Sequence, residues 1–305
     1  MAFVKRISLF LITNLAVIVL IGIILTILSK VFGINLSGYG YNYLSIFVFA
    51  LVVWFLGAII SLFMSKWSAK RAYKLKFFTQ ENLSSLSDKE KLVYNLVLDL
   101  ANREGIKMPE VWVYQSKDPN AFATGATKNS SLVAVSSALL DKMNKDEIEW
   151  VVAHEMAHIL NGDMVTMTLL QWVINTFVVF ASRVIANIAD SYFSKWESNG
   201  PSFIYYTVSI ALDIVLWMLA SVVVMWFSRH REYRADEGSA RYVWKDKMIK
   251  ALEALQNMKS LAKPSKAKFA TMKISTNDKS KWLKRFFMSH PALEDRIKNL
   301  QDMRV

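Results

Sequence analysis

Long apolar runs alternate with amphipathic and charged stretches along this chain, and that alternation predicts a membrane protein with a folded part outside the bilayer. Four runs with at most one charged residue are long enough to cross about 30 Å of hydrocarbon as helices. They lie at Ile7 to Ser29, about Tyr43 to Met64, Met164 to about Asn187, and Phe203 to Phe227. The first run is longer than the apolar core of a signal peptide, and no small-residue cleavage site follows it. A retained anchor is therefore favoured over a cleaved signal peptide.

Two charged residues interrupt the later runs, Arg183 in the third and Asp213 in the fourth. They lie at similar depth when counted from the connector between these runs, so an ion pair is predicted. A structural pair that locks the two helices together is favoured over an ion path.

Basic residues flank the runs unevenly and predict their orientation. Lys5 and Arg6 precede the first run, the connector Gly33 to Tyr43 is uncharged, and clusters of Lys and Arg follow the second and fourth runs. Because positive residues are enriched on the cytoplasmic side of membrane proteins, both termini and the segment between the second and third runs are expected in the cytoplasm. The connector Ile188 to Ser202 is expected to face outward.

The segment Phe77 to Asn161 mixes helical and strand patterns and predicts a folded α+β body. Capping boxes at Ser87 and at Asn144 each open a helix, one ending near Arg103 and the other at the stop residue Gly162. Between these helices, short elements are predicted as three strands and one or two helical turns, at Glu110 to Tyr114, Asn120 to Gly125, Ser131 to Ser136 and Ala138 to Met143.

The part of the chain after the fourth run is predicted to be helical at both ends. One long helix is expected from Ser228 to about Met258, and a short one from Pro291 to about Met303. Between them, the basic stretch Lys259 to Lys284 is predicted to be a loop, which acts as a lid, touches anionic lipid or serves as a plain linker. The expected organisation is two hairpins of spans, residues 1–65 and 164–227, with a cytoplasmic domain built from 66–163 and 228–305.

The composition of the 305 residues narrows the chemistry. Cys is absent, so any metal ion must be held by His and carboxylate side chains. The formal net charge of +12 would suit nucleic acid as a partner. However, the basic residues lie mainly beside apolar runs, which favours the lipid bilayer as the partner and argues against nucleic acid.

The segment His154-Glu155-Met156-Ala157-His158 carries the most specific signal in the chain. Two imidazoles four residues apart on a helix point the same way and can grip one metal ion. The carboxylate of Glu155 then lies on the adjacent face, beside a metal-held water. Apolar neighbours on both sides predict a buried helix, in which paired imidazoles without a ligand would be costly. The alternative, two histidines on a solvent-exposed helix face without a metal-binding role, is therefore disfavoured.

A hydrolytic zinc site takes three protein ligands and keeps one position open, so a third ligand is expected downstream. The candidates are His230, Glu232, Asp236, Glu237 and His290. Glu232 and Asp236 are four residues apart and share one helix face. One of them can bind the ion while the other holds the Nδ1–H of a ligand histidine. Glu232 is favoured as the ligand, and His230 is expected at the surface or membrane edge.

Four segments of the chain form a recognisable set: NAFATG at 120–125, HEMAHILNGD at 154–163, REYRADEGSA at 231–240 and HPALEDRI at 290–297. On these segments the chain resembles the HtpX family of bacterial membrane zinc metalloproteases, which is related to the prenyl-protein (CAAX) endopeptidases. The resemblance implies an α+β membrane protein with four transmembrane helices and a zincin-like cytoplasmic protease domain containing a small sheet.

The resemblance also implies roles for individual residues. One Zn²⁺ is expected to be bound by His154, His158 and Glu232, with Glu155 as the general base. Asp236 is implied as the partner of a ligand histidine. Three further residues are implied to line the substrate cleft, namely Asn120, His290 and Arg296. His290 is a candidate stabiliser of the oxyanion, and an ordinary surface histidine is its alternative.

As to function, the resemblance implies a stress-response protease of the bacterial inner membrane. Its expected substrates are damaged or misassembled membrane proteins, and its expected partners include other membrane quality-control proteases. A specific processing enzyme of the CAAX prenyl endopeptidase type is the alternative, although that type typically has more spans around a chamber. A non-enzymatic scaffold or transporter is disfavoured because His154, Glu155, His158 and Glu232 are all present. The charged stretch Asn144 to Glu149 argues against a site inside the bilayer.

Overall fold

The computed structural model describes residues 43–72, 75–193, 201–261 and 291–303. The predicted first span, His290 and nearly all of the basic loop after Lys259 lie outside these ranges. The described part divides into two compact units. One unit comprises the residues up to Ser61 together with Thr168–Ser221, and the other comprises Leu62–Met167 together with the residues from Val222 onward.

The described part is mostly helical, with one small sheet. The helices are α1 (Tyr43–Ala72), α2 (Asp88–Arg103), α3 (Ser137–Lys142), α4 (Lys145–Asn161), α5 (Asp163–Phe193), α6 (Phe203–Tyr242), α7 (Lys245–Leu261) and α8 (Leu293–Asp302). The strands are β1 (Leu75–Phe78), β2 (Glu110–Tyr114), β3 (Ala121–Thr127) and β4 (Ser130–Ser136), and a short 3₁₀ helix covers Gln80–Ser85.

Three of the described helices are long and apolar enough to cross a membrane, judged by length and composition. They contain the candidate spans Phe47–Ala72, Asp163–Asp190 and Phe203–Tyr242. The predictions of helices at the second, third and fourth apolar runs are therefore confirmed, whereas the first run lies outside the described residues.

The sheet is mixed, with strand order β1-β2-β4-β3. The outer pairs β1–β2 and β3–β4 are antiparallel, and the central strands β2 and β4 are parallel. Within the described residues β3 is therefore an edge strand. Gly125 lets β3 approach β4 closely, because a Cβ at this position would lie 2.2 Å from the carbonyl oxygen of Ser130.

The main core lies on one face of this sheet. Alternate residues of β4 point to opposite faces, as the two-residue period of a strand requires: Val133 and Val135 join the main core, and Leu132 and Ala134 join a smaller cluster on the other face. Helices α2, α4, α7 and α8 contribute to the main core through fully buried residues, among them Val97, Val152, Leu252 and Leu300. Helix α4, which carries both candidate ligand histidines, is thus held in the packed interior.

The structure corrects the expectation of one helix from Ser228 to Met258. Helix α6 is continuous from the apolar run to Tyr242, and the chain then breaks before α7 begins at Lys245. Trp244 adopts a left-handed backbone with φ of 53°, which a bulky residue avoids unless its surroundings impose it. The change of direction lets α7 pack against α4 and α8. The residues next to Trp244 include no Gly or Pro from which the break could have been predicted.

Two further elements were not predicted. Strand β1 pairs with β2 over four residues, and the 3₁₀ helix follows it. Helix α5 also extends to Phe193 and so takes in the start of the predicted outward connector.

Polar contacts help to hold the unit that contains most of the apolar helices. The predicted pair forms, with Arg183 Nη2 lying 3.0 Å from Asp213 Oδ2. The Ser182 hydroxyl donates to the Ser209 carbonyl at 3.2 Å. The Trp172 indole N–H donates to the Leu51 carbonyl at 3.0 Å, joining α5 to α1.

Candidate metal centre

Helix α4 positions two imidazoles on one buried face. Its first turn is fixed by a capping box, in which the Asn144 side chain accepts from the Glu147 N–H and the Glu147 carboxylate accepts from the Asn144 N–H, both at 2.9 Å. One helical turn separates His154 from His158, and both side chains are buried. Gly162 ends the helix in the left-handed conformation, with φ of 68°, as predicted from its place in the sequence.

Helix α6 brings the acidic residues to the same place. Glu232 and Asp236 lie one turn apart and are almost completely buried, at 1% and 0% exposure. The close approach of α6 to α4 depends on Gly238, because a Cβ there would lie only 3.0 Å from the Ala157 Cβ. A small residue on each helix therefore lets the carboxylates of one reach the imidazoles of the other.

The three side chains form a compact donor set. His154 Nε2 and His158 Nε2 are 3.1 Å apart. The two carboxylate oxygens of Glu232 lie 3.4 Å from His154 Nε2 and 3.6 Å from His158 Nε2. Ligands placed tetrahedrally about zinc at about 2.0–2.1 Å would be roughly 3.3 Å from one another. Two imidazoles and one carboxylate at these separations fit a zinc ion in both chemistry and size.

A buried carboxylate and an arginine stand behind His154. Its Nδ1 lies 2.9 Å from Asp236 Oδ1, so Nδ1 carries the proton and Nε2 is left for a metal. The Arg296 guanidinium donates to both oxygens of Asp236, at 2.7 Å from Nε and 2.5 Å from Nη2. It also lies over the Trp150 ring, 5.8 Å from the centroid.

The charges around His154 act on its proton affinity. Burial alone would lower the pKa of His154, but the hydrogen bonds to Asp236 and Glu232 outweigh it and raise the pKa from 6.5 to about 9. Burial also opposes the charge of Arg296, yet the carboxylates of Asp236, Glu232 and Glu155 raise its pKa. The raised pKa of His154 thus reflects the carboxylates that are packed against its ring.

His158 has an equivalent support that the sequence did not reveal. Its Nδ1 lies 2.6 Å from Asp163 Oδ2, and Asp163 is completely buried. Arg234 Nη2 lies 3.4 Å from the other oxygen of Asp163. Each histidine therefore begins a chain of imidazole, aspartate and arginine: His154–Asp236–Arg296 and His158–Asp163–Arg234. The available signal was an acidic residue directly after the helix stop Gly162.

Comparison with known proteins identifies the family of this chain. The family model described as Peptidase family M48 matches residues 87–304. Protease HtpX of Tolumonas auensis is 46% identical over 303 residues, which cover 98% of this chain and 100% of that protein. Protease HtpX of Escherichia coli K12 is 44% identical over 301 residues, which cover 97% of both chains. This chain belongs to peptidase family M48. The resemblance to the HtpX family is confirmed.

A solved structure shares the fold of this M48 peptidase. The crystal structure of Ste24p from S. mikatae superposes with a TM-score of 0.60 at 21% sequence identity. The match covers 92% of this chain, which spans 64% of the length of the Ste24p chain.

The other residues that were predicted for the site of this M48 chain differ from one another in burial and in contacts. Glu155 is partly exposed on α4, and Asn120 is exposed just before β3, with its backbone N–H donating to the Ser136 hydroxyl at 2.9 Å. His230 is exposed and stacks on Trp226 at 5.7 Å, away from the donor set, as expected. Arg296 is buried against Asp236. His290 lies outside the described residues.

Proposed function

We propose that this protein is a zinc-dependent endopeptidase of a bacterial inner membrane, which faces the cytoplasm and degrades damaged or misassembled membrane proteins. The observation that supports the chemistry best is the buried donor set of His154, His158 and Glu232 with Glu155 one residue along the same helix. Two imidazoles and a carboxylate with one open position are the ligand set of a hydrolytic zinc site.

Each residue of the site has its own proposed role. His154, His158 and Glu232 hold the ion, and Asp236 and Asp163 fix the tautomer and ring orientation of the two histidines. A bound zinc ion supplies Lewis acidity, which activates water and polarises the scissile carbonyl. Glu155 accepts the proton of the attacking water and delivers it to the leaving amine. In the proposal, His290 assists at the oxyanion.

The edge strand β3 is the proposed binding place for the substrate backbone. It forms one border of the sheet within the described residues, and it packs beside α4. An extended peptide can add to such an edge through main-chain hydrogen bonds. Asn120 at the start of β3 is proposed to line this cleft, as the family resemblance implies. The resemblance implies the same for Arg296, but its guanidinium is buried against Asp236, so we propose that it supports His154 through Asp236 instead.

Chain connectivity supports membrane proteins as the substrates. Helix α4 ends at Asn161, and the next helix, α5, is a candidate span that begins at Asp163. Glu232 belongs to the same continuous helix, α6, as another apolar run. Lys and Arg cluster after the second and fourth runs, which favours a cytoplasmic site at the bilayer surface. We therefore propose cleavage in cytoplasmic loops or tails close to the membrane.

Purified protein in detergent tests the chemistry. Wild type should cleave an unfolded membrane protein and contain one zinc ion per chain. Glu155→Gln should retain zinc and lose turnover, whereas Glu232→Ala should lose both. Glu253→Gln, at an exposed position of α7, serves as the matched control and should behave as wild type. Normal turnover in Glu155→Gln would overturn the assignment of the base.

The same preparation separates the proposed function from specific processing. A prenylated peptide and the same peptide without the prenyl group are compared with an unmodified loop of a membrane protein. Neither peptide should be cleaved faster than the loop. Strong preference for the prenylated peptide would indicate a CAAX-type processing enzyme instead.

Labelling from each side of the membrane tests the orientation. The chain lacks Cys, so a single introduced thiol reports its own location. Ser84→Cys, exposed in the protease part, should react only when the cytoplasmic side is accessible. Asn199→Cys, in the predicted outward connector, should react from the opposite side. The reverse pattern would overturn the cytoplasmic placement.

A further inference from the structure

An apolar pocket opens beside the candidate metal centre. Its volume is about 210 Å³, and its wall is almost entirely carbon. On one side it is formed by the end of β3 and the β3–β4 turn, and on the other by the end of α4 and the first turn of α5. The residues that matter here are Gly125, Thr127, His158, Ile159, Met164 and Val165.

The size and chemistry of this pocket suit a hydrophobic side chain. An engineered apolar cavity of about 150 Å³ in another protein binds benzene, so 210 Å³ leaves room for an aromatic ring or a long aliphatic group. Lys128 and Ser131 also line the pocket, but most of its wall is apolar, which favours an apolar side chain over a charged one.

The pocket shares residues with the proposed reaction site. His158 lines it and also belongs to the donor set. Gly125 and Thr127 line it and also belong to β3, the edge strand proposed to bind substrate backbone. A peptide lying along β3 with its scissile carbonyl at the donor set therefore has a side chain next to that carbonyl within reach of the pocket.

We propose that this pocket is a specificity subsite, which receives a large hydrophobic side chain immediately flanking the scissile bond. The inference rests on the proposed endopeptidase function and adds the substrate preference. Membrane proteins that are misassembled expose such side chains in loops near the bilayer, where the folded protein would have covered them. The subsite thus selects cleavage sites by a feature that unfolding makes available.

The wall of the pocket can be changed from two independent sides. Val165 is partly exposed in the first turn of α5, and Thr127 is exposed at the end of β3. Val165→Trp and Thr127→Trp should each fill the pocket without replacing a ligand residue. Val173→Trp provides a matched control, because Val173 lies on the same helix α5 and is 55% exposed.

Internally quenched peptides that differ at one position beside a fixed scissile bond provide the measurement. Wild type should cleave peptides with Leu or Phe at that position about tenfold faster, in kcat/KM, than the peptide with Ala. Each filled-pocket variant should lower the ratio of kcat/KM for the Leu and Phe peptides to kcat/KM for the Ala peptide by about tenfold. Zinc content and the unfolding midpoint of every variant establish that the fold is intact.

The outcomes separate this inference from the function on which it rests. Zinc-loaded wild type that cleaves none of the peptides, or a Glu155→Gln variant as active as wild type, would remove the proposed endopeptidase. Glu155-dependent cleavage with the same preference in wild type, Val165→Trp and Thr127→Trp would leave the protease and overturn the subsite. If filling the pocket changed only the response to lipid acyl chains, the pocket would hold lipid and the inference would be wrong.

Discussion

The Nδ1 atom of His158 lies 2.6 Å from a carboxylate oxygen of Asp163, the residue with which helix α5 begins. A candidate metal ligand is therefore oriented by the first residue of a helix that is apolar enough to cross a membrane. The equivalent support of His154 comes from Asp236, on the helix that also carries an apolar run. Both histidines of the HEMAH segment depend on partners supplied by such helices.

Replacement of Asp163 tests this support. Asp163→Asn removes the charge but keeps the shape, so the structure should persist while the zinc affinity falls by about 10- to 100-fold. Chelator competition on purified protein measures that affinity without reference to turnover. Asp118→Asn, at an exposed position, is the control and should leave affinity unchanged. Equal affinity in wild type and Asp163→Asn would contradict the positioning role.

Arg296 is predicted to stabilise the metal-free protein. Its guanidinium is buried and donates to both oxygens of Asp236, so Arg296→Ala leaves a buried carboxylate without that partner. The loss should be about 3–5 kcal/mol, or a fall of roughly 10 °C in the unfolding midpoint after chelator treatment. Arg103→Ala removes an exposed pair with Asp99 and should cost less than about 1 kcal/mol. Similar effects of the two substitutions would contradict the prediction.

The close approach of α4 and α6 gives a prediction about Gly238. Gly238→Ala places a methyl group 3.0 Å from the Ala157 Cβ, which pushes the helix bearing Glu232 away from the histidines. Zinc retention during gel filtration should fall. Ala157→Gly alone should change it little, and the double variant with both exchanges should regain part of what Gly238→Ala lost. No recovery in the double variant would show that the contact is not the cause.

Glu110 is predicted to make stability depend on pH. Its carboxylate lies 2.8 Å from Lys66 Nζ and 2.6 Å from Lys70 Nζ, which joins the end of α1 to β2. Burial would raise the pKa of Glu110, but hydrogen bonds from Lys66, Lys70 and Trp112 outweigh it and lower the pKa below 4.5. Because the folded state binds this proton less readily than the unfolded chain, the stabilisation is complete above about pH 5 and is lost as the pH falls through the lowered value.

Unfolding midpoints of wild type and Glu110→Gln measure this dependence. At pH 7 the variant should unfold a few degrees lower, consistent with about 1 kcal/mol for partly exposed ion pairs. The difference should shrink as the pH is lowered from about 5 to 3. Glu81→Gln, at an exposed position in the 3₁₀ helix, should show no such trend. A difference that grows towards acid would reverse the assigned sign.

The Arg183–Asp213 pair is predicted to hold α5 to α6. Each single substitution to Ala leaves the partner charge unmatched in an apolar run, so each should lower the unfolding midpoint in detergent. The double-Ala variant should lose less unfolding free energy than the two single variants lose together, with a coupling energy of about 1 kcal/mol or more. Exchange of the two charges, Arg183→Asp with Asp213→Arg, should restore part of the loss. Strict additivity with no rescue by the exchange would contradict the pairing.

Local periodicity was sufficient for much of the site. The spacing of His154 and His158, the capping residue Asn144 and the stop at Gly162 are properties of one helix, and all three predictions of local structure agree with the fold. Glu232 and Asp236 share a face for the same reason. The structure brings Glu232 to the two histidines and Asp236 to the Nδ1 side of His154. The sequence had favoured Glu232 as the ligand among five downstream candidates.

Contacts between distant segments decided the rest. Strand β1 gains its partner β2 from a segment far along the chain, and no pattern within Leu75–Phe78 specifies that pairing. The break at Trp244 follows from the packing of α7 rather than from a breaker residue.

The sequence by itself determined the helices, their apolar and polar faces and the residue types available to hold a metal, because these depend on neighbours a few positions apart. Only the tertiary structure decided that Asp163 and Arg234 support His158, that Arg296 is buried against Asp236, and that an apolar pocket adjoins the site. These features require side chains from separate helices to meet, and that meeting depends on how the whole core packs.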